Sequence, residues 1–357
     1  MSEGQLVALT GLLPEEISLQ LNLSQSFRGK QIFKWVGSGI KDFDKMTNLS
    51  LDLRNQLKEK SVLRSTTVSN ILKDPDGTIK LQISTFDGNA VETVLLTDKE
   101  GRKTACVSCQ VGCAMKCAFC QTGTLGLARN LEASEIVEQF LYLEEIAGKL
   151  DNIVFMGMGE PMQNLEGIRK AIKILTHKDG RALSGRRITL STCGVIKGIY
   201  DLADNGPLIR LAVSLTTANE ELRNQLMPIN KGNPLSELRK AIDYYAKKTG
   251  KRVTLEAALL HQVNTSSESA KELIDFAKNI DVNVNLIPWN PIETLPFTEP
   301  SNNEVRNFVK LLENEGINVT LRTKRGRSIG GACGQLGKNV NTSGQGTRPS
   351  SPWLGRF

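Results

Sequence analysis

From residue 153 onward, short apolar runs alternate with amphipathic stretches, and few architectures accept that alternation. The apolar runs cover 153–158, 188–192, 209–215, 253–260, 282–288 and 319–322. Between them, apolar residues recur at three-and-four spacing. Leu165, Ile168, Ile172 and Leu175 make one stripe, and Leu235, Leu238, Ile242 and Tyr245 another. Ala270, Leu273, Ile274 and Ala277 repeat it, as do Val305, Phe308, Val309 and Leu312; Ile136, Val137, Phe140 and Leu141 start a helix farther upstream. Strands and helices alternating in this way predict an α/β fold, a parallel sheet covered by helices. With one more strand through 104–108, the series suffices for a partial or complete (β/α) barrel. The stripes are helix faces packed on its core. Chemistry in such barrels gathers on loops at the carboxyl ends of strands, here 157–161, 191–194, 214–217 and 289–291.

The first ninety or so residues follow another pattern. To about residue 60 the chain reads as helical and basic, and 68–94 reads as a meander turned at Asp74-Pro75-Asp76-Gly77 and Asp87-Gly88. A small N-terminal helical and β accessory domain is therefore expected over 1–92, with the barrel over 93–336. Residues 339–352 are rich in Ser, Gly, Thr and Asn, so 337–357 is expected to be a flexible tail.

Five of the seven cysteines fall between 106 and 120: Cys106, Cys109, Cys113, Cys117 and Cys120. The last three form C-x3-C-x2-C, with Phe119 before the final sulfur. Three thiolates so spaced can hold three irons of a 4Fe–4S cubane and leave the fourth open to a small molecule. Two C-x2-C pairs, Cys106/Cys109 and Cys117/Cys120, would suit structural zinc, but the gap between them is short for a zinc ribbon and strands Cys113. A ferredoxin-type C-x2-C-x2-C-x3-C-P run is absent. The odd cysteine count and the lack of a hydrophobic leader argue against a secreted disulfide framework, so a reducing cytoplasm is the expected setting. No apolar run reaches the ~18 residues of a membrane helix. A net charge of +7 leans toward a polyanionic partner, whereas 5% aromatic residues give little for a base-stacking platform.

The C-x3-C-x2-C spacing resembles the radical S-adenosylmethionine (radical SAM) signature. A wider frame is similar to the RlmN/Cfr family of RNA methyltransferases. It comprises Cys106 ahead of the triad, Phe155-Met-Gly-Met-Gly-Glu-Pro161, Asn285-Leu-Ile-Pro-Trp-Asn-Pro291 and Ala332-Cys-Gly-Gln-Leu336, with Gly29-Lys-Gln-Ile-Phe33 and Met46-Thr-Asn-Leu49 near the N-terminus. That resemblance implies methylation of an unactivated adenine carbon using two SAM per turnover. One SAM methylates Cys333; the other, bound at the cluster of Cys113, Cys117 and Cys120, yields a radical that abstracts hydrogen from the new methyl group. The carbon then adds to the base, and Cys106 resolves the protein–RNA bond by forming a disulfide with Cys333. Glu92, in Val91-Glu-Thr-Val94, would accept the base's proton. Gly159, Glu160, Ser191, the strand end Ser214, Leu215 and Thr216, and Asn290 would contact SAM.

Pro161 and the Trp289-Asn290-Pro291 segment favour the branch that methylates C2 of 23S ribosomal RNA, with transfer RNA open as a second substrate. C8 methylation, the Cfr activity, is the near alternative, and an iron–sulfur redox or RNA-binding protein without methyl transfer the distant one. The resemblance further implies an electron donor such as flavodoxin and a monomeric, membrane-free enzyme. Four departures stand out: Thr216 where histidine is common, Cys109 and Cys193 where serine is usual, and 327–331 without its usual acidic residues. Arg181, Arg186 and Arg187, and Arg322, Lys324, Arg325 and Arg327, are candidate phosphate contacts. His177 and His261 read as surface residues without carboxylate partners.

Overall fold

The computed structural model describes residues 6–338 and Val340. At the N-terminus a two-residue strand, β1 (Val7–Ala8), pairs in parallel with β2 (Ser61–Val62), closing off three helices, α1 (Pro14–Gln20), α2 (Ser26–Gly37) and α3 (Leu51–Lys60). Pro14 opens α1 at a position where no amide donor is needed. The helices α1 and α2 touch through Gly29, where a Cβ would lie 2.2 Å from the Pro14 carbonyl oxygen.

The expected meander follows as β3 (Thr67–Lys73), β4 (Ile79–Ser84) and β5 (Ala90–Thr97). Then come β6 (Lys103–Cys106), the hairpin β7 (Gln110–Cys113) and β8 (Gly126–Asn130), and α4 (Ala133–Ala147). The repeating part runs β9 (Asn152–Phe155), α5 (Leu165–Thr176), β10 (Ile188–Thr192), α6 (Ile196–Asn205), β11 (Arg210–Ser214), α7 (Glu220–Leu226), α8 (Leu235–Thr249), β12 (Val253–Leu259), α9 (Ser267–Ala277), β13 (Val282–Pro288), α10 (Asn302–Asn314) and β14 (Val319–Leu321). Every predicted helix stripe is found on one of these helices, and its buried members face the main core.

One ten-stranded sheet contains most strands, in the order β14-β13-β12-β11-β10-β9-β6-β5-β4-β3. From β6 to β14 all pairings are parallel; from β6 to β3 all are antiparallel. The strands β3 and β14 lie at opposite ends, so the barrel is partial rather than complete. An open mouth is left along its C-terminal edge. The expected division after residue 92 falls inside β5, which pairs with β4 on one side and β6 on the other. The meander is thus an antiparallel extension of the catalytic sheet. Residues 341–357 of the expected tail lie outside the described residues.

The β7–β8 hairpin and two helices escaped the sequence reading. The strand expected at 104–108 ends at Cys106, and 110–113 turns out of the sheet into the β7–β8 hairpin. The helices α6 and α7 were also missed, although Ile199, Leu202 and Ala203 form a buried apolar face on α6. A second, smaller core forms around the cysteine loop from Cys113, Met115, Leu226, Met227, Trp289 and Phe297 among others.

Candidate active site

The cysteine loop hangs from the β7–β8 hairpin. Its approach is so tight that a Cβ on Gly112 (φ +77°) would sit 1.9 Å from the Gly126 carbonyl oxygen. Three anchors fix the loop. Ala118 N donates to Leu226 O (2.8 Å), Trp289 Nε1 to Phe119 O (2.9 Å), and Gln121 N to Gly334 O (2.8 Å). Cys113, Cys117 and Cys120 all line one open cleft at the carboxyl ends of the strands. Burial pushes the Cys113 thiol up to about 12 and that of Cys117 well above its usual range, with neighbouring thiols adding to both. Such thiolates need cations beside them, which a bound cluster supplies. Among the described residues no three donors converge on a single point as one metal ion would require. Three thiols lining one cleft are the donor set that three irons of a 4Fe–4S cluster take.

The next strand end forms the cofactor turn. Gly159 has φ +106°, and a Cβ there would lie 2.6 Å from Gln110 Cβ. Gln110 Oε1 in turn accepts from Glu160 N (2.8 Å). The Glu160 carboxylate accepts from Met162 N (3.0 Å) and Cys193 N (2.8 Å); burial raises its pKa, and these donors pull the other way. Ser191 Oγ donates to Glu256 Oε2 (2.8 Å). Leu215 N and Thr216 N both donate to Glu256 O, at 2.8 and 3.0 Å, with Thr216 at φ +62°. Leu215 stands apart from the cleft lining, its side chain in the main core. Asn290 Nδ2 donates to Cys333 O (3.3 Å), while its buried Oδ1 has no partner. A buried amide oxygen without a donor is costly, and an ammonium or hydroxyl of SAM would satisfy it.

Among the predicted site residues, the structure brings Cys113, Cys117, Cys120, Gly159, Glu160, Ser191, Ser214, Thr216, Asn290 and Cys333 onto the wall of that cleft. Cys106 lies just behind it, at the end of β6. Burial pushes its thiol up to about 12; the adjacent Cys333 adds to this and Arg322 opposes it. Glu92 stands apart from the cleft lining. Its carboxylate pairs with Lys80 Nζ at 2.8 Å and accepts from Gly337 N at 2.7 Å.

Two buried charges were missed. Arg223 donates to Cys193 O (2.8 Å), Leu215 O (3.1 Å) and Asn230 Oδ1 (2.6 Å), tying strand ends together from behind. Glu256 holds Ser191 and lies 3.9 Å from Arg322. Its signal was an acidic residue inside the otherwise apolar run of β12.

The second basic cluster has partners within the protein. Arg322 turns inward, its charge facing Cys333, Glu256 and Cys106. Lys324 and Arg327 both pair with Glu299, and Arg325 Nη1 reaches Asp76 O at 3.5 Å. Arg181 is likewise held by Glu144 (2.6 Å) and Leu150 O. His261 has a carboxylate partner after all, with Nδ1 2.7 Å from Glu304 Oε2. Cys109 and Cys193 are buried free thiols, and Cys193 lines the cleft. Among the described residues no helix is long and apolar enough to cross a membrane.

A cluster loop facing a cofactor cleft on an open parallel sheet places the protein among radical SAM enzymes, and the Radical SAM superfamily model matches residues 107–277. Residues 21–63 match the model of the ribosomal RNA large subunit methyltransferase N-terminal domain. A protein of Treponema denticola named "Probable dual-specificity RNA methyltransferase RlmN" is 60% identical over 94% of this chain and 97% of its own length. One of the same name from Moorella thermoacetica is 44% identical, covering 92% and 97%. The crystal structure of a radical SAM methyltransferase from Sphaerobacter thermophilus superposes with a TM-score of 0.89 at 41% identity, covering 92% of this chain and 99% of that one. The chain belongs to the RlmN family of radical SAM RNA methyltransferases. Its cofactors are accordingly a 4Fe–4S cluster and S-adenosylmethionine.

Proposed function

We propose that the protein methylates C2 of an adenine in 23S ribosomal RNA, and an adenine of transfer RNA, using Cys333 as methyl carrier and Cys106 as resolving thiol. The observation that carries this is that Cys106 and Cys333, far apart in sequence, lie within reach of each other's charge and of one guanidinium, Arg322, with Cys333 on the cleft wall. The relatives' printed designation, dual-specificity RNA methyltransferase, supports two RNA substrates.

The bound cluster and SAM supply one-electron cleavage of SAM and thereby hydrogen abstraction from a methyl group. The chain does the rest. Cys113, Cys117 and Cys120 hold the cluster, and Glu160, fixed by two backbone donors, receives the SAM ammonium. Asn290 Oδ1 accepts from the cofactor while its Nδ2 holds the Cys333 carbonyl, linking SAM binding to the placement of the carrier thiol. Arg322 lies where it stabilises a developing thiolate on either cysteine. Glu92 accepts the proton leaving the base.

The protein, reconstituted anaerobically, would be incubated with SAM, reductant and unmodified RNA, and the digested nucleosides compared by mass spectrometry with 2-methyl- and 8-methyladenosine. A 2-methyladenosine peak is expected; 8-methyladenosine, or no methylated base, refutes the proposal. Cys333→Ala should abolish methylation with the cluster intact, and Cys106→Ala should trap a covalent protein–RNA adduct. Normal turnover in either variant would remove that residue from its role.

A further inference from the structure

Lysine is almost never fully buried unless paired, yet Lys80 is 3% exposed. On β4 it lies diagonally across from Glu92 on β5, since Lys80 pairs with Val94 and Gln82 with Glu92. Its ammonium meets Glu92 Oε1 at 2.8 Å and donates to Gly330 O at 3.2 Å. The other carboxylate oxygen, Glu92 Oε2, accepts from Gly337 N at 2.7 Å. Gly330 and Gly337 bracket Cys333. One buried ion pair therefore grips both ends of the loop that carries the methyl-bearing thiol.

That loop has little stiffness of its own. Gly330, Gly334 and Gly337 have φ of +61°, +85° and +104°, conformations that only glycine adopts freely. Its shape depends on tethers, and most of the others are neutral, such as Thr122 Oγ1 to Leu336 O (2.7 Å) and Gln121 N to Gly334 O (2.8 Å). An apolar pair of the same size would pack a sheet face at least as well as a buried ion pair. A charged clasp differs in one respect: it can be undone by a proton.

We propose that Lys80 is a positioning residue, which with Glu92 clasps the Cys333 loop and lets it go once Glu92 is neutralised. The release rests on the proposed role of Glu92; the clasp itself does not. When the carboxylate takes the proton leaving the base carbon, the C–H electron pair stays with the base and Glu92 becomes a neutral carboxyl. Lys80 then loses its counter-ion and Gly337 N its anionic acceptor. Both ends of the loop loosen at the stage when the Cys333 sulfur must turn toward Cys106. Proton abstraction and resolution are thereby ordered in time.

The test is hydrogen exchange in the reconstituted holoenzyme with SAM bound and no RNA, comparing wild type with Lys80→Met, Lys80→Arg and Glu92→Gln. Amides of 330–337 should exchange about tenfold or more faster in Lys80→Met and in Glu92→Gln, the uncharged mimic of the protonated acid. Protection in α5 and β12 should be unchanged, and Lys80→Arg should return the loop to within about threefold of wild type. A general loss of stability would instead raise exchange everywhere and would overturn the proposal, as would wild-type protection of the loop in either uncharged variant. If Lys80→Met does not fold, Glu92→Gln decides alone. Because no RNA is present, failure of the clasp is read separately from failure of C2 methylation.

Discussion

Replacing Arg223 with methionine should weaken both the fold and the cofactor site, and the structure sets the size of the effect. The guanidinium is fully buried, at 0% exposure, and desolvation lowers its pKa while Cys193, Cys117 and Glu220 raise it. Methionine fills similar space without donors. Of the acceptors Arg223 serves, Leu215 O keeps Thr217 N at 2.7 Å, so its loss is partly covered. Cys193 O and Asn230 Oδ1 lose the guanidinium donors at 2.8 and 2.6 Å. At about 1–3 kcal/mol per orphaned acceptor, the gross cost is roughly 2–6 kcal/mol. Relief from burying a charge offsets part of this, leaving a net loss of about 2–4 kcal/mol. For a chain of this size that corresponds to a Tm lower by about 3–5 °C. Cys193 and Ser214 are both strand ends on the cleft wall, so SAM affinity should also fall by about tenfold, a change of roughly 1.4 kcal/mol. Differential scanning fluorimetry and equilibrium SAM binding under anaerobic conditions read the two effects. A Tm within about 1 °C of wild type would refute the account of Arg223 as the tie between strand ends.

The Cys106 thiol, pushed up to about 12 by burial, is protonated through the neutral range. Its reactive thiolate fraction should then rise tenfold per pH unit, and single-turnover release of methylated RNA should follow from about pH 7 to 9; a plateau in that interval would argue against the high value. Gly159→Ala forces φ +106° on a residue with a Cβ and brings that atom 2.6 Å from Gln110 Cβ. A strain of about 1–3 kcal/mol is expected, with SAM binding lost and the cluster's visible absorbance retained. Unimpaired SAM binding would show that the turn is not the cofactor's cradle. Glu299→Gln frees Lys324 and Arg327, so the slope of log RNA affinity against log salt should steepen by about one to two units. An unchanged slope would place RNA elsewhere on the surface.

Local pattern made much of this architecture legible. The strand bounds of β10 and β13 were read correctly because β-branched runs flanked by polar turns leave little choice. The cysteine loop was legible because the spacing of three thiols is itself the chemical signal, whereas the Gly159-Glu160 turn was read through the family resemblance, and the structure adds the φ of +106° at Gly159 that suits glycine. The acidic partners of Arg322, Lys324 and Arg327 were not legible, for the opposite reason. A run of cations looks free until the acids that neutralise it are located, and Glu299 and Glu256 come from other parts of the chain.

The amino-acid sequence by itself determined the alternation of strands and helices, the identity of the thiols and the strand ends that carry the site. Those features are encoded over a few residues by side-chain periodicity, turn chemistry and metal-ligand spacing. Only the tertiary structure decided that the sheet stays open, that Lys80, Arg223 and Glu256 are buried where they tie the site together, and that Cys106 and Cys333 come within electrostatic reach of each other and of Arg322. Each of these depends on which distant segments share a low-dielectric interior. A buried charge takes its partner from whatever the fold brings near, and sequence separation carries no trace of that choice.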